Sequence, residues 1–212
     1  MNSALTTTTI SAKTLKEIYN AAKYCQQIFV NREFNNLEMS VDQLNKLVAQ
    51  GLKLNPRLSL SLVHNKFGYL TNLIVKTAVT SHLFAKELNF NFEAASAITK
   101  TNLYVLCTLS RPILQLKNRP ALYKKFKPYF KNAAKLTFKT LSEQKLNDQN
   151  CLRLLTQLAN VNQYSQTNQN AQSVTSAALN CAIQSFPFLT EKKLSLESAL
   201  EQLQLGQFIA LS

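Results

Sequence analysis

A chain of 212 residues, 46% of them hydrophobic, is long enough for one large domain or a domain with an appendage, and can fill a sizeable core. Its three glycines and five prolines leave an all-β fold short of the turns it needs, so composition favours an all-α one. Against 24 Lys and Arg stand 11 Asp and Glu, an excess that draws in anions; because 19 of the 24 are Lys, it acts as a diffuse field rather than a reader of base edges.

Ser11 can cap a first helix, whose apolar positions Leu15, Ile18, Tyr19, Ala22, Cys25 and Phe29 recur at helical spacing. The polar stretch 31–36 breaks it. Ser40-Val41-Asp42-Gln43 has the form of a capping box and predicts a second helix from there, with Leu44, Leu47 and Val48 on one face. Gly51 and Pro56 mark its end. Residues 58–63 alternate Leu with Ser, a weak strand signal. After Gly68, residues 70–88 are apolar on nearly every side, which places a helix at the centre of a core. Lys76, His82, Lys86 and Glu87 within it rule out a membrane span.

Asn91 can cap the next helix, with Glu93 in its first turn, running to about Leu109. Residues 111–120 are expected as a loop between Pro112 and Pro120, with Pro120 suited to the first turn of a helix. Pro128 should interrupt that helix before a further one reaches Leu141. Asp148 can cap another, with Leu152, Leu154, Leu155 and Leu158 inward. Residues 160–170 have no periodicity and read as a loop or disordered tip. Residues 173–186 are helical up to Pro187, and Ser195 opens a last helix.

The supply of chemistry is small. Two histidines (His64, His82) and two aspartates (Asp42, Asp148) sit at no metal-ligand spacing. His82 on an apolar helix reads as a hydrogen-bonded core residue, and His64 as a surface one. The glutamates form no acid–base pair, and isolated glycines build no phosphate loop. Cys25, Cys107, Cys151 and Cys181 form no CxxC and read as reduced, mostly buried thiols. A Cys–His nucleophile stays open, since partners can meet in space. No secretory leader is visible in residues 1–12, so a reducing cytoplasm is the expected compartment.

One constellation stands out. Lys127, Lys131, Lys135 and Lys139 recur every four residues, which on one helix makes a single slowly turning stripe. Lys117, Arg119, Lys124, Lys125 and Lys145 lie nearby. Glu143 is the only acid from 117 to 145. Phe126, Tyr129 and Phe130 interleave with the lysines. Like charges at this spacing oppose one another, and an anion would relieve them. A solvated face with its aromatics turned inward fits the same pattern. Lys124, Lys127, Lys131, Lys135 and Lys139 are the candidate anion- or partner-binding residues.

Three stretches carry a resemblance: "NKFGYLTNLIVKTAVTSHLFAKELNFNFEAASAITKTNLYVLCTLSRPIL" (65–114), "YKKFKPYFKNAAKLTFKTL" (123–141) and "SAALNCAIQSFPFLTEKKLSLESALEQL" (176–203). Their order resembles the HD-GYP branch of the HD-domain family, all-α proteins whose active members bind metal and hydrolyse cyclic di-GMP. In this register the metal ligands would fall at about Leu73, Val105-Leu106, Asn132 and Asn180. The family's double His and Gly-Tyr-Pro signature would fall within 158–170, which holds no His, Gly or Pro.

The resemblance therefore implies a multi-helix HD-domain-like bundle over residues 51–212, behind an N-terminal helical segment, 1–50, and a domain without catalytic residues, metal or cofactor. Its expected role is a binding or regulatory module in bacterial signalling, with cyclic di-GMP as one expected link, a protein partner foremost and a nucleotide or nucleic acid as another occupant of the basic face. The alternative is a Lys-rich helical protein that binds nucleic acid or another polyanion electrostatically.

Overall fold

A computed structural model describes residues 12–54, 68–146 and 148–159 of the 212-residue chain. Every regular element among them is helical. The expected alternating stretch 58–63, His64, and the helices expected at 173–186 and after Ser195 lie outside the described residues.

Helix α1 (Ala12–Asn31) buries Ile18, Ala22, Cys25, Ile28 and Phe29, the face its spacing predicts. It ends at Arg32, whose φ of 64° is left-handed. The amide N–H groups of Arg32 and Glu33 both donate to the Ile28 carbonyl, at 2.8 and 3.2 Å. A short 3-10 turn, Phe34–Asn36, leads into α2 (Leu37–Leu54).

This corrects two expectations. Ser40 does not cap α2 but lies inside it, and its hydroxyl donates to the Asn36 carbonyl at 2.7 Å. Burial of Leu37 together with Val41 and Leu44 winds the helix back past Ser40. Gly51 does not end α2 either. Leu52 continues the buried face of Val48, and the helix runs on to Leu54.

Helix α3 (Tyr69–Glu87) follows Gly68. No residue from 70 to 85 is exposed, so α3 is central, as its all-round apolar sequence predicts. It stops at Asn89, also left-handed, with Asn89 N–H on the Lys86 carbonyl and Phe90 N–H on that of Ala85. Asn91 caps α4 (Phe92–Asn118), its side chain accepting from the Ala94 N–H at 2.9 Å.

The expected loop over 111–120 is absent, because α4 continues through Pro112. Pro112 has no N–H for the carbonyl one turn back, Thr108. The Arg32 guanidinium supplies that missing donor at 3.4 Å. Beside it, the Ser110 hydroxyl and the Arg111 guanidinium donate to Phe29 and Val30, carbonyls in the last turn of α1. The end of α1 and the interior of α4 thus each cover a defect in the other, and Ile113 and Leu116 carry the buried face onward.

A 3-10 turn, Pro120–Leu122, leads into α5 (Tyr123–Lys131), then come α6 (Ala133–Glu143) and α7 (Gln149–Ala159). Pro128 sits within α5 rather than interrupting it, and the break falls at Asn132. Asp148 caps α7 as expected, accepting from the Cys151 N–H at 3.2 Å. Among the described helices, α4 packs on each of the other six. One hydrophobic cluster draws residues from α1, α2, α3, α4, α6 and α7, so the N-terminal pair shares its core with the later helices.

With few glycines, the chain closes three helices on left-handed Arg32, Asn89 and Lys145. A non-glycine residue there costs about 1 kcal/mol. Lys145 is exposed, and its backbone N–H donates to the Ser142 carbonyl. Lys145→Gly is therefore expected to stabilise the protein by about 0.5–1 kcal/mol, read as a higher urea midpoint at unchanged m-value. An unchanged or lower midpoint would contradict the strain.

Candidate functional site

The lysines are divided between two helices. Lys124 and Lys125 are exposed on α5; Lys135 and Lys139 are exposed on α6. Lys127 and Lys131 belong to α5, but their side chains lie outside the described set. The single stripe expected from the four-residue repeat is thus cut at Asn132, whose side chain donates to the Pro128 carbonyl at 2.9 Å. Pro128 leaves the Lys124 carbonyl without a backbone donor, while the Pro128 carbonyl accepts from both the backbone N–H and the side chain of Asn132, at 3.0 and 2.9 Å, where the helix ends; the lysine spacing alone did not reveal this break.

The aromatics divide as well. Phe126 is buried, with its ring 5.9 Å from that of Tyr129, which is 49% exposed. On α6, Phe138 is 38% exposed and lies three residues on from Lys135, as its neighbour on the helix surface. Ala133, Thr137 and Leu141 take the opposite, buried face. Among the described ion pairs, only Lys139 of these lysines meets a carboxylate, Glu143 at 3.8 Å, and both side chains are largely exposed. Among the described residues, the charge of Lys124, Lys125 and Lys135 meets no carboxylate within ion-pair distance.

A second set of groups, not foreseen from the sequence, lies between α2, α4 and α7. The Lys100 ammonium bridges Asp42, at 2.8 Å, and Asp148, the cap of α7. Burial would lower the Lys100 pKa, but hydrogen bonds to Asp148 and Asp42 and their charges reverse this and hold it above the usual lysine range. For Asp148, burial pushes upward. The Lys100 hydrogen bond and the Cys151 N–H outweigh it, leaving the carboxyl below its ordinary value.

Asp42 also lines an open groove of about 590 Å³ along α2, with Asn35, Glu38, Met39, Gln43 and Lys46. The Tyr104 hydroxyl is buried without a hydrogen-bond partner among the described residues. No charge run or motif announces Lys100, because its partners are distant in sequence.

His82 is buried, as its place on α3 predicts. Its Nε2 lies 2.8 Å from Asn45 Oδ1, and the Asn45 amide donates to Ser96 Oγ at 2.7 Å. Asn45 Oδ1 can only accept, so Nε2 carries the proton. Burial lowers the His82 pKa to about 4, so the ring is neutral near pH 7. Cys25, Cys107 and Cys151 are buried and unpaired. Burial pushes the Cys25 and Cys107 thiols up to about 12, which leaves little thiolate for nucleophilic attack.

Among the described residues, no group of three or more His, Cys, Asp or Glu could hold a metal ion. No described helix is long and apolar enough to cross a membrane. Compared with family models, with curated proteins and with solved structures, the chain has no match.

Of the positions where the HD-GYP resemblance would put metal ligands, Leu73, Val105 and Leu106 are at most 1% exposed and join one hydrophobic cluster. Asn132 is exposed, and Asn180 lies outside the described residues.

Proposed function

We propose that this chain is a non-catalytic, HD-GYP-like module of bacterial signalling that binds an anionic partner through the lysine face of α5 and α6. The observation that carries the binding role is that face: Lys124, Lys125, Lys135 and Lys139 stand exposed, and only Lys139 has a described carboxylate neighbour. Supporting the lineage, Leu73, Val105 and Leu106 fill a common core where metal ligands would stand. Apolar side chains there offer no lone pairs to a cation. A second reading, a polyanion-binding helical protein of other descent, uses the same face and draws on the net charge of +13.

The test is affinity capture from lysate with wild-type protein and with Lys127, Lys131, Lys135 and Lys139 all changed to Glu. The variant is expected to lose most of the partner recovered by the wild type, at unchanged helical content. Equal recovery would remove the face from consideration. Metal analysis of the purified protein tests the other half: stoichiometric, tightly held iron, manganese or zinc would overturn the account of lost ligands.

A further inference from the structure

We infer that the partner of the α5–α6 face is single-stranded nucleic acid, its phosphates held by the lysines and its bases stacked on Phe138 and Tyr129. This rests on the reading that the face is the binding surface, and it adds the chemical class.

The face offers two kinds of group together. On the exposed side of α6, Phe138 and Lys139 lie at i+3 and i+4 from Lys135, so both are its neighbours on the helix surface and one side of the helix carries an aromatic ring together with two ammonium groups. On α5, exposed Tyr129 follows exposed Lys124 and Lys125. An exposed phenyl ring gains nothing from water, and like charges four apart weaken their own helix by a few tenths of a kcal/mol. A ligand carrying both negative charge and flat apolar surface relieves both costs. Single strands carry a phosphate on every nucleotide, and their bases present faces to solvent.

Other anionic partners fit less well. In a duplex the base faces are already stacked, so Phe138 and Tyr129 would have nothing to lie against. Base-edge readout also favours Arg, whereas Arg119 is the only arginine from 117 to 145. A membrane-surface helix buries its apolar side in lipid. Here Phe126, Ala133 and Leu141 already give that side to the protein interior. Protein interfaces are poor in Lys at their centres, and lysine dominates this one.

The experiment uses the full chain and fluorescence anisotropy. The probes are labelled oligo(dT) and oligo(U) of about 16 nucleotides, a duplex of the same length, and vesicles of phosphatidylcholine with phosphatidylglycerol. Single strands are expected to bind more tightly than the duplex, and vesicles weakly. With at least four lysines engaged, log K should fall against log salt with a slope of about −3. Phe138→Ala should weaken single-strand binding about fivefold or more, and Phe138→Trp should restore it. Phe138 is exposed, and thermal melts of both variants check that the fold survives.

Preference for duplex or vesicles, no binding of single strands, or equal affinity in wild type and Phe138→Ala would overturn the inference. The broader reading has its own readout in heparin retention. If Lys124, Lys135 and Lys139 changed together to Glu abolish retention while Phe138→Ala leaves single-strand affinity untouched, the basic face stands and the nucleic-acid assignment falls. If the triple variant is retained as well as wild type, the face itself fails.

Discussion

Taking the protein from pH 7 to pH 4 is expected to remove about 3 kcal/mol of stability through one side chain, His82. Burial holds its pKa near 4 in the folded protein, against 6.5 for the free group, with the Asn45 contact pulling weakly the other way. The unfolded chain therefore takes up a proton that the folded one refuses. The contribution is complete above 6.5, declines as pH falls toward 4, and changes little below that. Asp148 titrates below its ordinary 3.8, beneath this window. Urea unfolding across the range measures the slope, and His82→Gln isolates its source, since a glutamine amide can still donate toward Asn45. The variant should lose much less stability between pH 6.5 and 4.5. Parallel losses in the two proteins would show that His82 does not control the transition.

Removing the Lys100 ammonium is expected to cost about 2–3 kcal/mol. Lys100→Met keeps the aliphatic stem and strands Asp42 and Asp148 around the place of a missing cation. The Lys100 and Asp148 side chains are only 15% and 13% exposed, so water compensates poorly. Asp42, at 37%, can turn outward, which is why the cost falls short of a fully buried pair. The companion variant Lys100→Met with Asp148→Asn should regain about half the loss. Asparagine caps a helix about as well as aspartate but brings no charge. A chemical denaturation cycle over the four proteins reads the coupling. A single variant as stable as wild type would mean that the bridge contributes nothing net.

The legible parts of this fold are those whose causes are local. The apolar faces of α1, α3 and α7 follow from spacing, and the caps Asn91 and Asp148 each act on an N–H three residues away. Where distant contacts decide, local signals mislead. Ser40 looks like a cap until Leu37 is seen to be buried. Pro112 looks like a stop until Arg32 arrives from far upstream to take the Thr108 carbonyl. The lysine face was legible as charge but not as shape, because the break at Asn132 leaves no trace in a four-residue repeat. Lys100 was not legible at all: its two carboxylates come from α2 and α7, and only the packed bundle brings them to one point.

The junction between the end of α1 and the middle of α4 bears on the order in which the chain can fold. Phe29 and Val30 obtain side-chain donors from residues 81 positions later. While the protein is being synthesised, the last turn of α1 must remain hydrated or frayed until Arg111 has emerged. Contacts this remote cannot help begin collapse, because the long loop has to close before they form. They belong to a late step that locks the first helix onto the longest one. A weakened junction, as in Arg32→Ala, should therefore hasten unfolding more than it slows folding.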